Sequence, residues 1–296
     1  MSLRKNGVFL LLLADLFFAL IPITVRMATQ LGYSPAQVTF FRFSFAVLGI
    51  LVLVFLGGAK LKIVNLRALF WRGLFGGLSV LFYFLALHFT TAAKGTLLNY
   101  TYSIWANVFA VLFLGQKLPK RFGYLLLLAV VGVWLVLGVS FEKFNWGDLI
   151  GALAGATAGA ATLAVKEARK TDDSLSVFGS FTFFGLLISI LLLGAGSLGP
   201  STTPLLGWSP LTGQGWVILL AMGAVSIMAQ LLFTEGFGYA RLSTGTLLSL
   251  LVPVGAALLG HLFLGESLTP HFLLGTCLVL TACGFFGWQG EKGKKS

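Results

Sequence analysis

The chain has 296 residues, of which 57% are apolar and 10% are charged, and its mean hydropathy is +0.96. Soluble domains carry about 25% charged residues, so a globular fold of this length would lack the polar surface that water requires. The composition therefore excludes a soluble enzyme, a disordered chain and a nucleic-acid-binding protein. Its two cysteines, Cys277 and Cys283, lie in one apolar run, which offers neither a disulfide framework nor a metal site.

Apolar runs follow one another along the whole chain, and each approaches the ~20 residues that a membrane-crossing helix requires. They occupy residues 8–26, 36–56, 69–88, 95–114, 122–139, 147–166, 175–194, 215–235, 244–264 and 271–288. The first run is not a cleavable signal peptide, because it contains Asp15 and Pro22 and lacks a small-residue cleavage site. The pattern predicts an all-α integral membrane protein with ten transmembrane helices.

Lys and Arg are distributed unevenly between the segments that join these runs. Sixteen of the 20 lie in the terminal segments and in every second connection, whereas Arg26, Lys94 and Lys143 lie in the others and Arg42 lies inside the second run. Because cytoplasmic segments carry the excess of Lys and Arg, both termini are predicted to be cytoplasmic. The Gly- and Pro-rich loop 196–214 is then external. The expected location is a cell membrane, with a bacterial inner membrane preferred.

The chain also contains an internal repeat at an offset of 150 residues. GTLLNYTYSIWANVFAVLFLGQKL at 95–118 aligns with GTLLSLLVPVGAALLGHLFLGESL at 245–268, with ten of 24 positions identical. The repeat predicts one half at 1–140 with spans one to five and a second at 147–290 with spans six to ten, followed by a basic cytoplasmic tail at 291–296. Since five is odd, the halves insert in opposite orientations, as in the inverted repeats of alternating-access transporters.

Three stretches resemble a known family. They read LFYFLALHFTTAAKGTLL, KLPKRFGYLLLLAVVGVWLVL and GYARLSTGTLLSLLVPVGAALLGHLFLGESLTPHFLLGTCLVL. With Arg42, Pro253 and Gly265-Glu266 at recurrent family positions, the chain resembles a ten-helix, tandem-EamA transporter of the drug/metabolite transporter superfamily. The resemblance implies that each half is an EamA repeat and that spans one, three, four, six, eight and nine mainly line a central cavity. The family includes exporters of amino acids, nucleobases and drugs.

Polar residues that share one helical face inside the membrane indicate a cavity lining. Such faces occur in spans three, four, eight and nine, and the amides of Asn99 and Gln230 near mid-membrane favour a cavity over helix packing. For Gly73, Gly76 and Gly223, close helix packing is the favoured interpretation. The predicted substrate-binding residues are Asp15, Tyr83, Asn99, Tyr102, Ser103, Ser226, Gln230 and Ser249.

Charged residues inside the runs leave several roles open. Asp15 is a proton-coupling site, a counter-charge for an amine-bearing substrate, or a structural carboxyl group, and a buried carboxyl without a partner favours its protonated form. Arg42 is a structural clamp or an anion site. Arg72 is counted with the cytoplasmic cations. An anionic sugar phosphate or nucleotide sugar is disfavoured, because Arg42 is the main cation expected to meet it, with Arg26 and Lys166 as further candidates.

The sequence has no HExxH, GxSxG, P-loop or dinucleotide motif, which predicts neither an enzyme nor an ATP-driven pump and implies no cofactor. We expect a transporter that exports small metabolites, preferably amino acids or similar amphipathic solutes, by alternating access. A carrier of quaternary ammonium or drug-like cations is one alternative, since aromatic residues accompany the polar faces. A non-transporting scaffold or receptor is another. The expected partners are a small-molecule substrate and the bilayer, with no nucleic acid and with proton coupling and oligomeric state left open.

Overall fold

The computed structural model describes residues 6–89, 92–119, 121–139, 145–198, 206–265 and 267–292. Within these ranges the regular secondary structure is helical and no strand occurs, which confirms the all-α prediction. The helices are α1 (Gly7–Gln30), α2 (Pro35–Phe55), α3 (Leu66–Phe89), α4 (Ala92–Tyr100), α5 (Tyr102–Leu114), α6 (Phe122–Leu137), α7 (Trp146–Ala168), α8 (Ser174–Leu198), α9 (Gly213–Tyr239), α10 (Leu242–Leu248), α11 (Leu251–Leu264) and α12 (Phe272–Lys292). Glu266, residues 199–205 of the 196–214 loop and residues 293–296 of the basic tail lie outside the described residues.

Eight stretches of the described chain are long and apolar enough to cross a membrane. Two of them contain a break: Gly95–Leu114 covers most of α4 and all of α5, and Leu242–Leu264 covers α10 and α11. The shorter apolar helices Phe122–Leu137 and Phe272–Phe285 occupy the fifth and tenth predicted runs. The described helices therefore match the ten apolar runs, and the protein is a multi-pass membrane protein.

Local sequence explains where several helices begin and end. The side chains of Ser34 and Thr212 accept hydrogen bonds from backbone N–H groups in the first turns of α2 and α9, at 3.1 and 3.0 Å. These bonds satisfy donors that a helix start leaves unpaired. Helices α5 and α11 end at Gly115 and Gly265, with φ of 59° and 66°. This left-handed conformation favours glycine.

The breaks in the fourth and ninth spans have different causes. Pro253 lacks the N–H that the Ser249 carbonyl would accept in a continuous helix, and its ring crowds that carbonyl, so α10 ends just before Ser249. At Thr101, between α4 and α5, the side-chain hydroxyl instead donates to the Leu98 carbonyl at 2.5 Å. Both breaks place polar groups deep in the bundle.

The helices pack in pairs that cross the two halves of the sequence. Helix α3 lies along α7, α1 lies along α9, α2 packs on α8, and α6 packs on α12. The last pair approaches closely at Gly132 and Gly275, where a Cβ on Gly132 would lie 2.7 Å from the Gly275 carbonyl oxygen. Glycine at these positions lets the two backbones meet, as is usual between membrane helices.

The loop between α8 and α9 is hydrogen-bonded to the turn between α1 and α2 and to the start of α2. Gln37 donates through Nε2 to the Ser209 carbonyl at 2.7 Å and accepts from the Ser209 N–H at 3.0 Å. The Thr212 N–H donates to the Tyr33 hydroxyl at 3.0 Å. We call this set, built from uncharged groups, the α1–α2 clamp.

The loop between α2 and α3 is hydrogen-bonded to the turn between α7 and α8. The carboxylate of Asp172 accepts from the N–H groups of Val64 and Asn65, at 2.7 and 3.2 Å, and that of Asp173 accepts from the Lys62 N–H. We call this set the α7–α8 clamp. Helix α2 has 21 residues and is therefore about 30 Å long, so the two clamps, which lie near its opposite ends, are on opposite sides of the bundle.

Candidate functional site

A cavity of about 190 Å³ lies inside the bundle, between helices from both halves of the sequence. Most of the predicted site residues line it, and these are Asp15, Tyr83, Asn99, Tyr102, Gln230 and Ser249. The lining comes from the spans that the family resemblance implied, with Arg42 of α2 and Phe181 of α8 in addition. The breaks in the fourth and ninth spans border this cavity.

The structure does not bring two of the predicted residues, Ser103 and Ser226, to the cavity lining. Ser103 follows the break at Thr101, and its hydroxyl donates to the Thr246 carbonyl of α10 at 2.7 Å, so it joins two helices. Ser226 is buried in α9 one turn before Gln230, and its hydroxyl has no hydrogen-bond partner among the described residues. Helical phase alone placed both on the lining faces, but helix packing covers them.

Arg72 corrects the sequence analysis, which placed it with the cytoplasmic cations. It lies inside the third span, Leu66–Ala86, is 4% exposed and lines the cavity. Its Nη2 donates to Gln230 Oε1 at 3.2 Å, and its guanidinium carbon lies 4.3 Å from the centre of the Phe181 ring. The signal was present in the sequence, because Arg72 begins the helical stripe that continues through Gly76, Ser79 and Tyr83.

Asp15 lies on α1 in the cavity wall and is 4% exposed. Neither of its carboxyl oxygens has a hydrogen-bond partner among the described residues. Asp15 and Arg42 therefore form no salt bridge. A buried carboxyl group without a partner is costly unless it is protonated or meets a ligand.

Three tyrosines add hydroxyl groups and aromatic faces to the wall. The Tyr83 hydroxyl lies 3.0 Å from Thr96 Oγ1, and Tyr102 and Ser249 both line the cavity. The rings of Tyr100 and Tyr102 lie 5.8 Å apart. The Asn99 side-chain oxygen is buried without a hydrogen-bond partner in the described part of the chain. The cavity thus combines two guanidinium groups, a carboxyl group, amides, hydroxyl groups and aromatic surface, which suits reversible binding of a small polar molecule.

The described glycines agree with the packing interpretation. A Cβ on Gly73 or Gly223 would meet Phe184 or Phe45 of a neighbouring helix. Gly76 differs, because it also lines the cavity and a Cβ there would fall on the Arg72 guanidinium. Among the residues that the structure describes, no group of three or more His, Cys, Asp or Glu side chains could hold a metal ion.

The profile of the EamA-like transporter family matches residues 5–138 and again residues 145–288. The chain belongs to the EamA-like transporter family. Its two tandem matches cover nearly all of the sequence, which confirms the resemblance inferred from the motifs. It is therefore a membrane transporter by family, and the relatives described next are transporters rather than enzymes.

Two relatives and one solved structure are similar over most of their length. The pseudopaline exporter CntI of Pseudomonas aeruginosa (strain UCBPP-PA14) is 25% identical over 284 residues, which are 96% of each chain. An uncharacterized transporter of Archaeoglobus fulgidus is 25% identical over 254 residues, 85% of this chain and 86% of that one. A structure titled "Crystal structure of protein" superposes with a TM-score of 0.75 at 19% identity, covering 95% and 97% of the two chains. The last likeness concerns the fold alone.

Proposed function

We propose that the protein exports small metabolites by alternating access between two inverted five-helix repeats, 1–140 and 147–290. The observation that carries this proposal is the cavity between the two halves, where buried polar atoms of Asp15, Arg72 and Asn99 have no hydrogen-bond partner among the described residues. Polar groups are tolerated at membrane depth mainly where a cavity or a ligand receives them. Export, rather than uptake, is supported by the similarity to an exporter.

The helix pairing supports the repeat. If spans one to five correspond to spans six to ten, the packing of α3 on α7 corresponds to that of α9 on α1. The packing of α5 on α7 likewise corresponds to that of α11 on α1, and α3 on α8 corresponds to α9 on α2. All six of these contacts occur in the fold. A duplicated scaffold would account for the same symmetry, but not for unpaired polar groups in a central cavity.

The two clamps support alternating access. In the repeat alignment, the loop between α8 and α9 corresponds to the loop between α2 and α3, and each is tied to the turn between the first two spans of the other half. The clamps are thus equivalent contacts on opposite sides of the bundle. Releasing one while the other holds would open the cavity to one side at a time.

For the substrate we propose amino acids or similar amphipathic solutes, which a cavity of about 190 Å³ suits in size. A quaternary ammonium or drug-like cation is the second candidate, favoured by Asp15 beside Tyr100 and Tyr102. Two arginines in the same wall oppose a substrate that carries positive charge alone. We further propose that both termini are cytoplasmic, in a bacterial inner membrane, as the Lys and Arg distribution predicts.

The test is solute exchange in proteoliposomes, measured with a cysteine pair at positions 37 and 209 across the α1–α2 clamp. Uncrosslinked protein should exchange a radiolabelled amino acid against an internal pool. A thiol-reactive crosslinker that joins the pair should stop the exchange, and a cleavable form of the same reagent should restore it when cut. Exchange that continues through the crosslinked protein would contradict alternating access, and an absence of exchange for every amino acid would contradict the substrate class.

A further inference from the structure

The charged groups of the cavity do not neutralise one another. Arg42 and Arg72 are close enough to interact electrostatically, as two like charges. Asp15 lines the same cavity, yet both of its oxygens lack a hydrogen-bond partner among the described residues. Buried charges are ordinarily paired, because an unpaired one is costly. We call the two arginines the positive pole and Asp15, which is negative when it is ionised, the negative pole; neither has a counter-charge among the described residues.

The positive pole is built around Arg72. Its guanidinium carbon lies 4.3 Å from the centre of the Phe181 ring. The guanidinium also occupies space that a Cβ on residue 76 would fill, so glycine at this position makes room for it. Gln230 occupies Nη2 through a neutral amide oxygen, at 3.2 Å, and Nε has no partner in the described chain. A guanidinium held in one plane with free donors matches the geometry of a carboxylate. Arg42 adds a second positive charge nearby.

The negative pole is Asp15, with aromatic side chains beside it. Tyr100 and Tyr102, whose rings lie 5.8 Å apart, line the same cavity as Asp15. Arg42 and Arg72 line it too, so one small molecule that fills the cavity of about 190 Å³ can meet both poles. A carboxylate beside aromatic faces is suited to an ammonium group.

We infer that the transported compound carries both a carboxylate and a protonated amine, with the carboxylate on Arg72 and Arg42 and the amine on Asp15. This inference rests on the proposed function and narrows its substrate class. A cation without a carboxylate leaves two arginines unpaired in the cavity, whereas a sugar phosphate without an amine leaves Asp15 unpaired. The expectation that only Arg42, with Arg26 or Lys166, could meet an anion is corrected by the position of Arg72 in the cavity lining.

The experiment measures binding of matched probes to the purified full-length protein in detergent, because a ligand of the native state raises its thermal stability. Each probe set consists of a free amino acid, its amide, which lacks the carboxylate, and its N-acetyl derivative, which lacks the amine. Leucine, phenylalanine and glutamine provide three such sets. In the wild type, the free acid should bind most tightly in at least one set.

Two variants test which pole binds the carboxylate and which binds the amine. Arg72→Gln should weaken binding of the free acid by about 10- to 100-fold, as expected for loss of a charge-assisted hydrogen bond, and leave binding of the amide unchanged. Asp15→Asn should weaken binding of the free acid by a similar factor and leave binding of the N-acetyl derivative unchanged. Arg67→Gln removes the same charge from an exposed position on α3 and should change neither preference. If Arg72→Gln does not fold, Arg42→Gln tests the same pole.

The inference is overturned if no free acid binds, if acid and amide bind equally to the wild type, or if the preference for the acid survives in the arginine variants. These outcomes are separate from a failure of the proposed function. Proteoliposomes that exchange a solute without either group would preserve the transporter and remove this substrate class. Tight binding of a free acid without any exchange would preserve the binding of this class of compound and contradict the transport function.

Discussion

Three buried amides in the bundle have the same chemistry and different surroundings. Asn107 donates through Nδ2 to the Ser103 carbonyl at 2.7 Å and to Thr246 Oγ1 at 2.8 Å, away from the cavity lining. Gln230 lines the cavity and also holds Arg72. Asn99 lines the cavity, and its side-chain oxygen has no partner within the described residues. Asn107 Oδ1 also has no partner among the described residues, so its Nδ2 contacts and its place outside the cavity are what distinguish it from Asn99. We propose that Asn107 is structural, that Gln230 positions Arg72 and that Asn99 meets the substrate.

We predict that Asn99→Ala lowers substrate affinity with little change in melting temperature. A substrate that loses this partner would keep an unpaired polar group, which costs about 1–3 kcal/mol and corresponds to roughly a 5- to 150-fold loss of affinity. The matched control is Asn107→Ala, which removes one hydrogen bond within α5 and one interhelical hydrogen bond, the latter worth about 0.6 kcal/mol on average, and should leave affinity intact. Measuring affinity and melting temperature for both variants decides the assignment; the opposite pattern would move the site away from Asn99.

At the scale of whole elements, the contact between α6 and α12 depends on missing side chains. A Cβ on Gly132 would lie 2.7 Å from the Gly275 carbonyl oxygen, and a Cβ on Gly275 would lie 2.5 Å from the Gly132 carbonyl oxygen. Both obstacles are backbone atoms, which cannot rotate away. These helices are also among the shorter apolar ones, so close packing is what fixes them to each other.

We predict that Gly132→Ala destabilises the protein by about 1–3 kcal/mol, the usual cost of overpacking. Gly123→Ala on the same helix is the control, because a Cβ there meets nothing within 4 Å. That control should be neutral or slightly stabilising, since Ala favours helix over Gly. Equilibrium unfolding of both variants is the measurement, and equal stabilities would mean that the α6–α12 contact is looser than the structure places it.

At the scale of the molecule, the two clamps differ in composition as well as in position. The α1–α2 clamp consists of hydroxyl, amide and backbone groups, whereas the α7–α8 clamp depends on the carboxylates of Asp172 and Asp173. Beside the second clamp, Arg169 forms a 2.9 Å salt bridge with Glu235 of α9. The charged clamp lies on the side where the Lys and Arg excess predicts the cytoplasm.

We predict that the connections of the two clamps face opposite compartments. Single cysteines at positions 61 and 208, both exposed in the structure, should be labelled by an impermeant maleimide from opposite sides of intact cells. Cys277 and Cys283 are first replaced by alanine so that each reading reports one site. Position 208 should react from outside and position 61 only after permeabilisation. Labelling of both from outside would reject the ten-span topology and, with it, the inverted repeat.

Much of this protein follows from its sequence, because a residue's preference for lipid or water is its own property and does not depend on its neighbours. Apolar runs therefore located the ten helices, the repeat and motifs indicated the family, and polar stripes included six residues that line the cavity. Which residues meet across helices was decided by tertiary structure. Arg72 lies in the cavity because α3 packs against α7 and α8, and Ser103 lies outside it because the break at Thr101 directs its hydroxyl to α10. Contacts of this kind depend on pairs of helices distant in the chain, so a local pattern such as the stripe from Arg72 to Tyr83 marks a polar face without showing which helices that face meets.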